Sequence, residues 1–523
     1  MHCSFLLCLA PLLLLGNGST AFTIFSNRQP SATLPSHHYR QIVERHHLPS
    51  SAVPSHNRHP PSPSSTTSST LFMTAASTAP HAMAIKRPFR IRTITAFVTL
   101  HADDFDDDVT ADGITTTPGI EKKIDKCNNI LRKLETRLTS IGYEVQTVRI
   151  ATNPFGEWLT QNNDGDKTMD TTTIHKRLKQ LNSLLDAKNI NFCSLGPSTT
   201  PKHTTQICPI IVASSGKFSC SAKINAGDIH AATAAAKCMQ KISTLGDDDV
   251  IEGTNADHVK GGLGNFRFCA ASCVETVPFF PGAKAPSTKD VDDTFNFAIG
   301  LENGGFAFDL LEEAKNIGNI KNIFDTKMRE ELLPIQNVCL KFADDAAADY
   351  PVEYLGIDTS LNPSLDDGGS VADAIERLEE VRGDFGGTGS LAAAAAITIA
   401  LQSMPDILTT GYSGLMLPVL EDQRLAELGM ASNSSKNKLT IQKLLCLSSV
   451  CGVGVDTVPI PGNVSEDSLS SLILDVAALA GRWSRNNVNK PLSCRVFPVP
   501  GGNAGEMTTF DSPYMCNSCI FDL

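Results

Sequence analysis

The second half of this 523-residue chain has no histidine: of 13, eight lie before residue 86 and the last is His258. Everything after that residue is therefore without a His general base or a His metal ligand. A Ser/His/Asp or Cys/His device would have to borrow its histidine from the N-terminal part. Long apolar runs are also missing. Phe5 to Leu15, Leu391 to Leu401 and Leu472 to Ala480 are the nearest, and all fall short of the ~18 residues that span a bilayer. The last two read as buried helices. Basic excess is missing too. Residues 1–90 hold seven Lys and Arg against one Glu, which leaves 37 basic and 55 acidic residues beyond them, a formal −18. An acidic body lacks the footprint that phosphate backbones require, so nucleic acid is not expected as a partner. A small local pocket for an anionic metabolite is compatible with it. Fifteen cysteines are scattered without a framework, which fits a reducing compartment better than a disulfide scaffold.

Composition then divides the chain. Residues 1–21 carry the apolar run and a small-residue stretch ending at Ala21, the pattern of a secretory signal peptide. Residues 22–85 are Ser-, Pro- and His-rich with a single acid, a transit-peptide-like leader expected to be disordered. Together they resemble the bipartite leaders of secondary-plastid algae, with Ala21-Phe22 at the junction. The expected location is a plastid, with no membrane attachment of the mature form; secretion followed by a linker is the alternative.

From residue 86 an α/β alternation is expected, 86–255 forming an N-terminal part and 256–523 the barrel-completing part of the same domain. Ile91 to Leu100 is β-branched enough for a strand. Ile124, Cys127, Leu131, Leu134 and Leu138 recur at helical spacing. Tyr143 to Ile150 and Cys208 to Ser214 read as strands, and Arg177 to Leu185 as an exposed excursion. Asp228 caps a helix; Ser370 with Asp373 caps another expected to stop at Gly383. Ser390 to Met404, Leu417 to Leu428 and Ser465 to Trp483 read as helices, and Leu492 to Val499 as the last strand.

Five stretches are distinctive: Val145–Ile150, Pro278–Pro281, Gly411–Asp422, Ser448–Gly462 and Phe510–Tyr514. In order and wording they resemble uncharacterised protein family 0210, also called domain of unknown function 711, from about residue 90 to the C-terminus. The resemblance implies a fold similar to the ten-stranded α/β barrel of ribonucleotide reductase and pyruvate formate-lyase. Those barrels host a cysteine thiyl radical. Here Arg495-Val496-Phe497-Pro498 stands where glycyl-radical enzymes carry Arg-Val-x-Gly, so no glycyl radical is expected.

Function must be argued from the site rather than the fold. Cys451, flanked by small residues, is a candidate nucleophile or redox thiol, or else a small buried hydrophobe. Asp456, Glu302 and Asp358 are candidate acid/base groups; Asp309, Asp422 and Asp475 share their apolar setting, where a carboxylate needs a partner. Arg267 and Arg495 are candidate partners for these or for an anionic ligand. Gly387, Thr388, Gly389 and Ser390 open a helix and form a candidate anion site, though without a Walker lysine. Cys516 and Cys519 are a lone C-x-x-C, a candidate redox pair. No metal or cofactor is specified. The expected activity is that of an enzyme acting on a small anionic metabolite in a barrel mouth. The alternative is a non-catalytic protein that binds a metabolite or metal on an inherited barrel.

Overall fold

The computed structural model describes residues 87–523 apart from 107, 110–114, 161–169, 252–254, 275, 287–293, 348–350, 431–438 and 482–489. The expectations for residues 1–21 and 22–85 lie outside the described residues. Those described fall within one compact unit, Pro80–Leu523.

The β-branched run at the start of the body becomes β1 (Arg90–Val98). Its alternation divides two environments. Ile94, Ala96 and Val98 enter the main core, whereas Phe97 joins a separate cluster on the other face, as the two-residue period of a strand requires. The helix Gly119–Ser140 buries Ile120, Ile124, Cys127, Leu131, Leu134 and Leu138. Each such aliphatic side chain contributes about 1.5–3 kcal/mol by leaving water. The caps fall where expected. Asp228 accepts from the Ala231 amide at 3.0 Å, and Ser370 from the Asp373 amide at 3.0 Å.

Several elements depart from the sequence reading. Cys208–Ser214 is a helix rather than a strand; a short apolar run fits either state, and Pro209 in the first turn, where no amide is needed, favours the helix. Arg177 is buried within the helix Thr171–Ala187 and donates to the Trp158 carbonyl at 2.7 Å. The helix after Ser370 ends at Glu376 and continues as turns to Gly383. The helix expected over Leu417 to Leu428 is interrupted at Asp422, beginning properly at Gln423. Asp422 accepts from Val371, Ala372, Arg424 and Leu425 amides, capping two helices at once.

The remaining strands are β2 (Val148–Thr152), β3 (Phe192–Ser198), β4 (Phe218–Lys223), β5 (Phe268–Ser272), β6 (Phe295–Glu302), β7 (Val352–Asp358), β8 (Gly454–Pro461) and β9 (Leu492–Val499). They form one mixed nine-stranded sheet in the order β8-β9-β5-β4-β3-β2-β1-β6-β7. β1 to β5 are mutually parallel. β6 pairs with β7 in parallel and β8 with β9 likewise. The two groups meet antiparallel, at β1–β6 and at β9–β5. The segment from Leu408 to Pro418 bonds to both end strands of this order. On the β7 side the Ile357 amide donates to the Leu408 carbonyl and the Thr410 amide to the Ile357 carbonyl, and Pro418 bridges Asp456 of β8 in parallel.

The face that carries Phe97 is occupied by the segment 276–286, which connects β5 toward β6. Thr95 Oγ1 donates to the Pro278 carbonyl at 2.7 Å, Ser194 Oγ to the Ala283 carbonyl at 2.7 Å, and the Ala285 amide to the Thr152 carbonyl at 2.9 Å. Ala283 and Ala285 pack on Phe97, and Phe279 on Tyr412 and Val453. Among the described residues of this connection the one cysteine is Cys273, just past β5.

Candidate functional site

Because the two parallel groups run in opposite directions, the starts of β1–β5 share one side of the sheet with the end of β6. Arg92, Arg149, Phe192 and Arg267 come from the first set and Glu302 from the second. Glu421, just past the bridging segment, joins them. These residues line a cavity of about 730 Å³. A smaller space of about 40 Å³ beside it reaches Tyr412, Asp456, Ser493 and Arg495.

The carboxylates are all engaged. Glu302 is held by Arg90 and Arg92 and accepts from Gln146 Nε2 at 2.7 Å. Glu421 spans Arg92 at 3.2 Å and Arg495 at 2.9 Å. Asp456 takes Arg495 in a two-pronged pair, 2.6 Å from Nε and 3.0 Å from Nη2, the geometry that fixes both groups most firmly. Glu421 is buried, and that burial holds its carboxyl above the usual range, although Arg495 and Arg92 oppose the rise.

Arg149 is different. It is 4% exposed. Its Nε donates to Thr147 Oγ1 at 2.9 Å, and its guanidinium lies 4.8 Å from the ring centres of both Phe192 and Phe280. Among the described residues no carboxylate pairs with it. Burial, with Arg92 nearby, pulls its pKa down to about 9, so it remains cationic at neutral pH. A buried cation without a counter-charge is costly. Arg267 repeats the pattern: its Nε donates to the Gly216 carbonyl at 2.6 Å, burial lowers its pKa to about 10, and among the described residues no carboxylate pairs with it.

The expected site residues divide. Glu302 at this cavity and Asp456 at the smaller space beside it are linked through the Arg92–Glu421–Arg495 chain; Arg495 pairs with two carboxylates, whereas Arg267, the other candidate partner, donates to the Gly216 carbonyl. Asp358 does not line it. Its carboxylate accepts from the Ser360, Tyr412 and Ser413 amides at 3.1, 2.8 and 3.0 Å and from Ser360 Oγ at 2.5 Å, so it braces the bridging segment. Asp309 and Asp475 are exposed on helices. Cys451 is buried beside Gly414, with a thiol pushed up by burial, and does not line the cavity. Gly387, Thr388, Gly389 and Ser390 stand elsewhere. A side chain at Gly389 would run into the Glu380 carbonyl, Gly387 faces the Asp384 carboxylate, and the Gly386 amide is taken by Ser390 Oγ at 2.9 Å. Cys516 and Cys519, the candidate redox pair, are half-buried and buried. Neither is in a disulfide, and their thiols are directed to the carbonyls of Leu420 and Gly429 respectively.

The distinctive stretches of the sequence converge here. Gln146, Thr147 and Arg149 come from the first, Phe280 from the second, Glu421 from the third, Asp456 from the fourth and Tyr514 from the last. The profile of "Uncharacterised ACR (DUF711)" matches residues 82–511. The chain belongs to this family. A UPF0210 protein of Oenococcus oeni is 25% identical over 437 residues, 81% of this chain and 88% of that protein. Those of Caldicellulosiruptor saccharolyticus and Bifidobacterium longum are 30% identical over 259 and 280 residues. These two matches span about half of each relative, 53% and 57%.

Arg92, Arg149 and Glu421 are the residues that sequence reasoning missed. The signal was present in the distinctive stretches themselves, since Arg149 and Glu421 lie inside two of them. Among the described residues no group of three or more His, Cys, Asp or Glu gathers in a way that could hold a metal ion. No described helix is long and apolar enough to cross a membrane.

Proposed function

We propose that the chain is an enzyme that binds a small organic anion at the mouth of a closed ten-stranded barrel, with Arg149 as the anion anchor. In this reading the Leu408–Pro418 segment is the tenth strand, joining β7 to β8 and completing two antiparallel groups of five. The observation that carries the function is the buried Arg149 guanidinium, which among the described residues forms no ion pair and lines a cavity large enough for a metabolite. An anionic group of the ligand supplies the missing partner through charge-assisted hydrogen bonds.

Glu421 is the proton-handling candidate. It borders the cavity, is fixed from both sides by arginines, and has a carboxyl raised toward the range useful for general acid–base work. Asp456 orients Arg495, which in turn holds Glu421. No thiol is assigned a role, because none lines this cavity.

The second reading is a non-catalytic metabolite-binding protein. It is favoured by the complete engagement of every carboxylate at the site with arginine, an arrangement that also serves to shape a rigid pocket. Thermal-shift screening of carboxylate and phosphate metabolites tests both. Arg149→Met should abolish every shift seen with wild type. Glu421→Gln should preserve the shift and remove turnover if the protein is an enzyme. A ligand recovered unchanged by the wild type would favour the binding protein.

A further inference from the structure

Arg149 and Arg267 both line one cavity, and a run of aromatic rings in the same lining connects them. The Arg149 guanidinium is 4.8 Å from the centre of Phe280; Phe280 is edge-on to Phe266 at 5.1 Å; and Phe266 lies 5.8 Å from the Arg267 guanidinium. Phe192 stacks on Phe280 at 5.1 Å and Tyr514 on Phe266 at 5.9 Å. The result is a strip of four rings with a carboxylate-free cation at each end.

We infer that the ligand carries two anionic groups at opposite ends of a flat apolar body, one held by Arg149, the other by Arg267, with the body lying on the Phe266–Phe280 strip. This rests on the reading of the cavity as an anion site and adds the ligand's class to it. Three features support it. A ligand with a single anionic group would leave one of the two cations without a counter-charge, and a buried unpaired charge is the costly state. The rings pack on one another and under the arginines, and the edges they leave to the cavity offer a planar body apolar contact rather than hydrogen bonds, so a sugar-like middle would lose its hydration without replacement. Glu302 and Glu421 are near enough to Arg149 to act on it through space, but their oxygens are occupied by Arg90, Arg92 and Arg495. They therefore leave the two outer cations to the ligand. Tyr514, 45% exposed, forms the outer edge of the strip.

The test is calorimetry on the purified chain with benzoate as the single-headed probe and a series of dicarboxylates with one or two aromatic rings between the carboxylates. Each additional charge-assisted anchor should improve affinity by about tenfold or more, so the best dicarboxylate should exceed benzoate by that factor. Arg267→Gln should bring that dicarboxylate back to the benzoate level and leave benzoate unchanged. Arg149→Gln should weaken both. If benzoate binds through Arg149 but no dicarboxylate binds better, or if Arg267→Gln has no effect, the two-headed inference is overturned while the anion site stands. If no probe binds, or Arg149→Gln changes nothing, the anion site itself is refuted.

Discussion

Replacing Arg149 by methionine should stabilise the ligand-free protein. Methionine keeps the length and apolar stem of the side chain and removes the charge. The fall of the guanidinium pKa from its ordinary value to about 9 corresponds to about 5 kcal/mol of disfavoured charge in the folded state. Contacts with two phenylalanine rings are worth about 1–2 kcal/mol each when desolvated. Those contacts vanish with the charge, but their favourable effect is smaller than the cost. The net gain is about 1–3 kcal/mol. The sign follows from linkage. For a base whose folded pKa is depressed, the cost is present in full below about 9 and is relieved as pH rises from there toward the ordinary arginine value. Urea melts at neutral pH should therefore show a higher midpoint for Arg149→Met with an unchanged slope, and the difference should shrink above the folded pKa. The same variant should lose anion binding. A loss of stability of about 2 kcal/mol or more would mean that the guanidinium serves the fold, and the reasoning behind the site would fail.

Asp358→Asn should destabilise the protein by about 2–4 kcal/mol in chemical denaturation, because an amide would turn hydrogens toward donors that now face a carboxylate; a neutral effect would contradict its bracing role. Iodoacetamide at neutral pH should modify exposed Cys446 well before Cys451, which is 1% exposed and has its thiol raised by burial. Fast protection-sensitive labelling of Cys451 would restore it as a candidate nucleophile. The raised Glu421 carboxyl contributes stability that is complete below its unfolded value of 4.5 and lost as pH rises through the folded one. Glu421→Gln should therefore flatten that part of the stability profile relative to wild type, and parallel profiles would refute the shift.

Local chemistry was legible in the sequence and long-range assembly was not. The β-branched run of β1, the helical spacing of Ile124 to Leu138 and the caps at Asp228 and Ser370 are decided by neighbours a few residues away. Cys208–Ser214 was misread because a short, mostly apolar run satisfies both periods. Asp422 and Glu421 are adjacent and look alike in sequence. Only the fold decides that Asp422 turns to helix ends and Glu421 to the arginines. Glu302 and Asp456 were found because carboxylates in apolar strands stand out. Arg149 was overlooked because a lone arginine in a strand does not reveal that its neighbours across the sheet are rings rather than acids. The glycine loop at Gly386 to Ser390 has the composition of an anion site, yet its own Asp384 and Glu380 close on it.

The most direct test of the central claim is anomalous diffraction from crystals of the chain soaked in iodobenzoate. The account predicts an iodine peak among Phe192, Phe266 and Phe280, with the carboxylate within hydrogen-bond distance of the Arg149 Nη atoms, and no such peak in Arg149→Met crystals. Iodine sites confined to the molecular surface, or a cavity peak that persists in the variant, would contradict it.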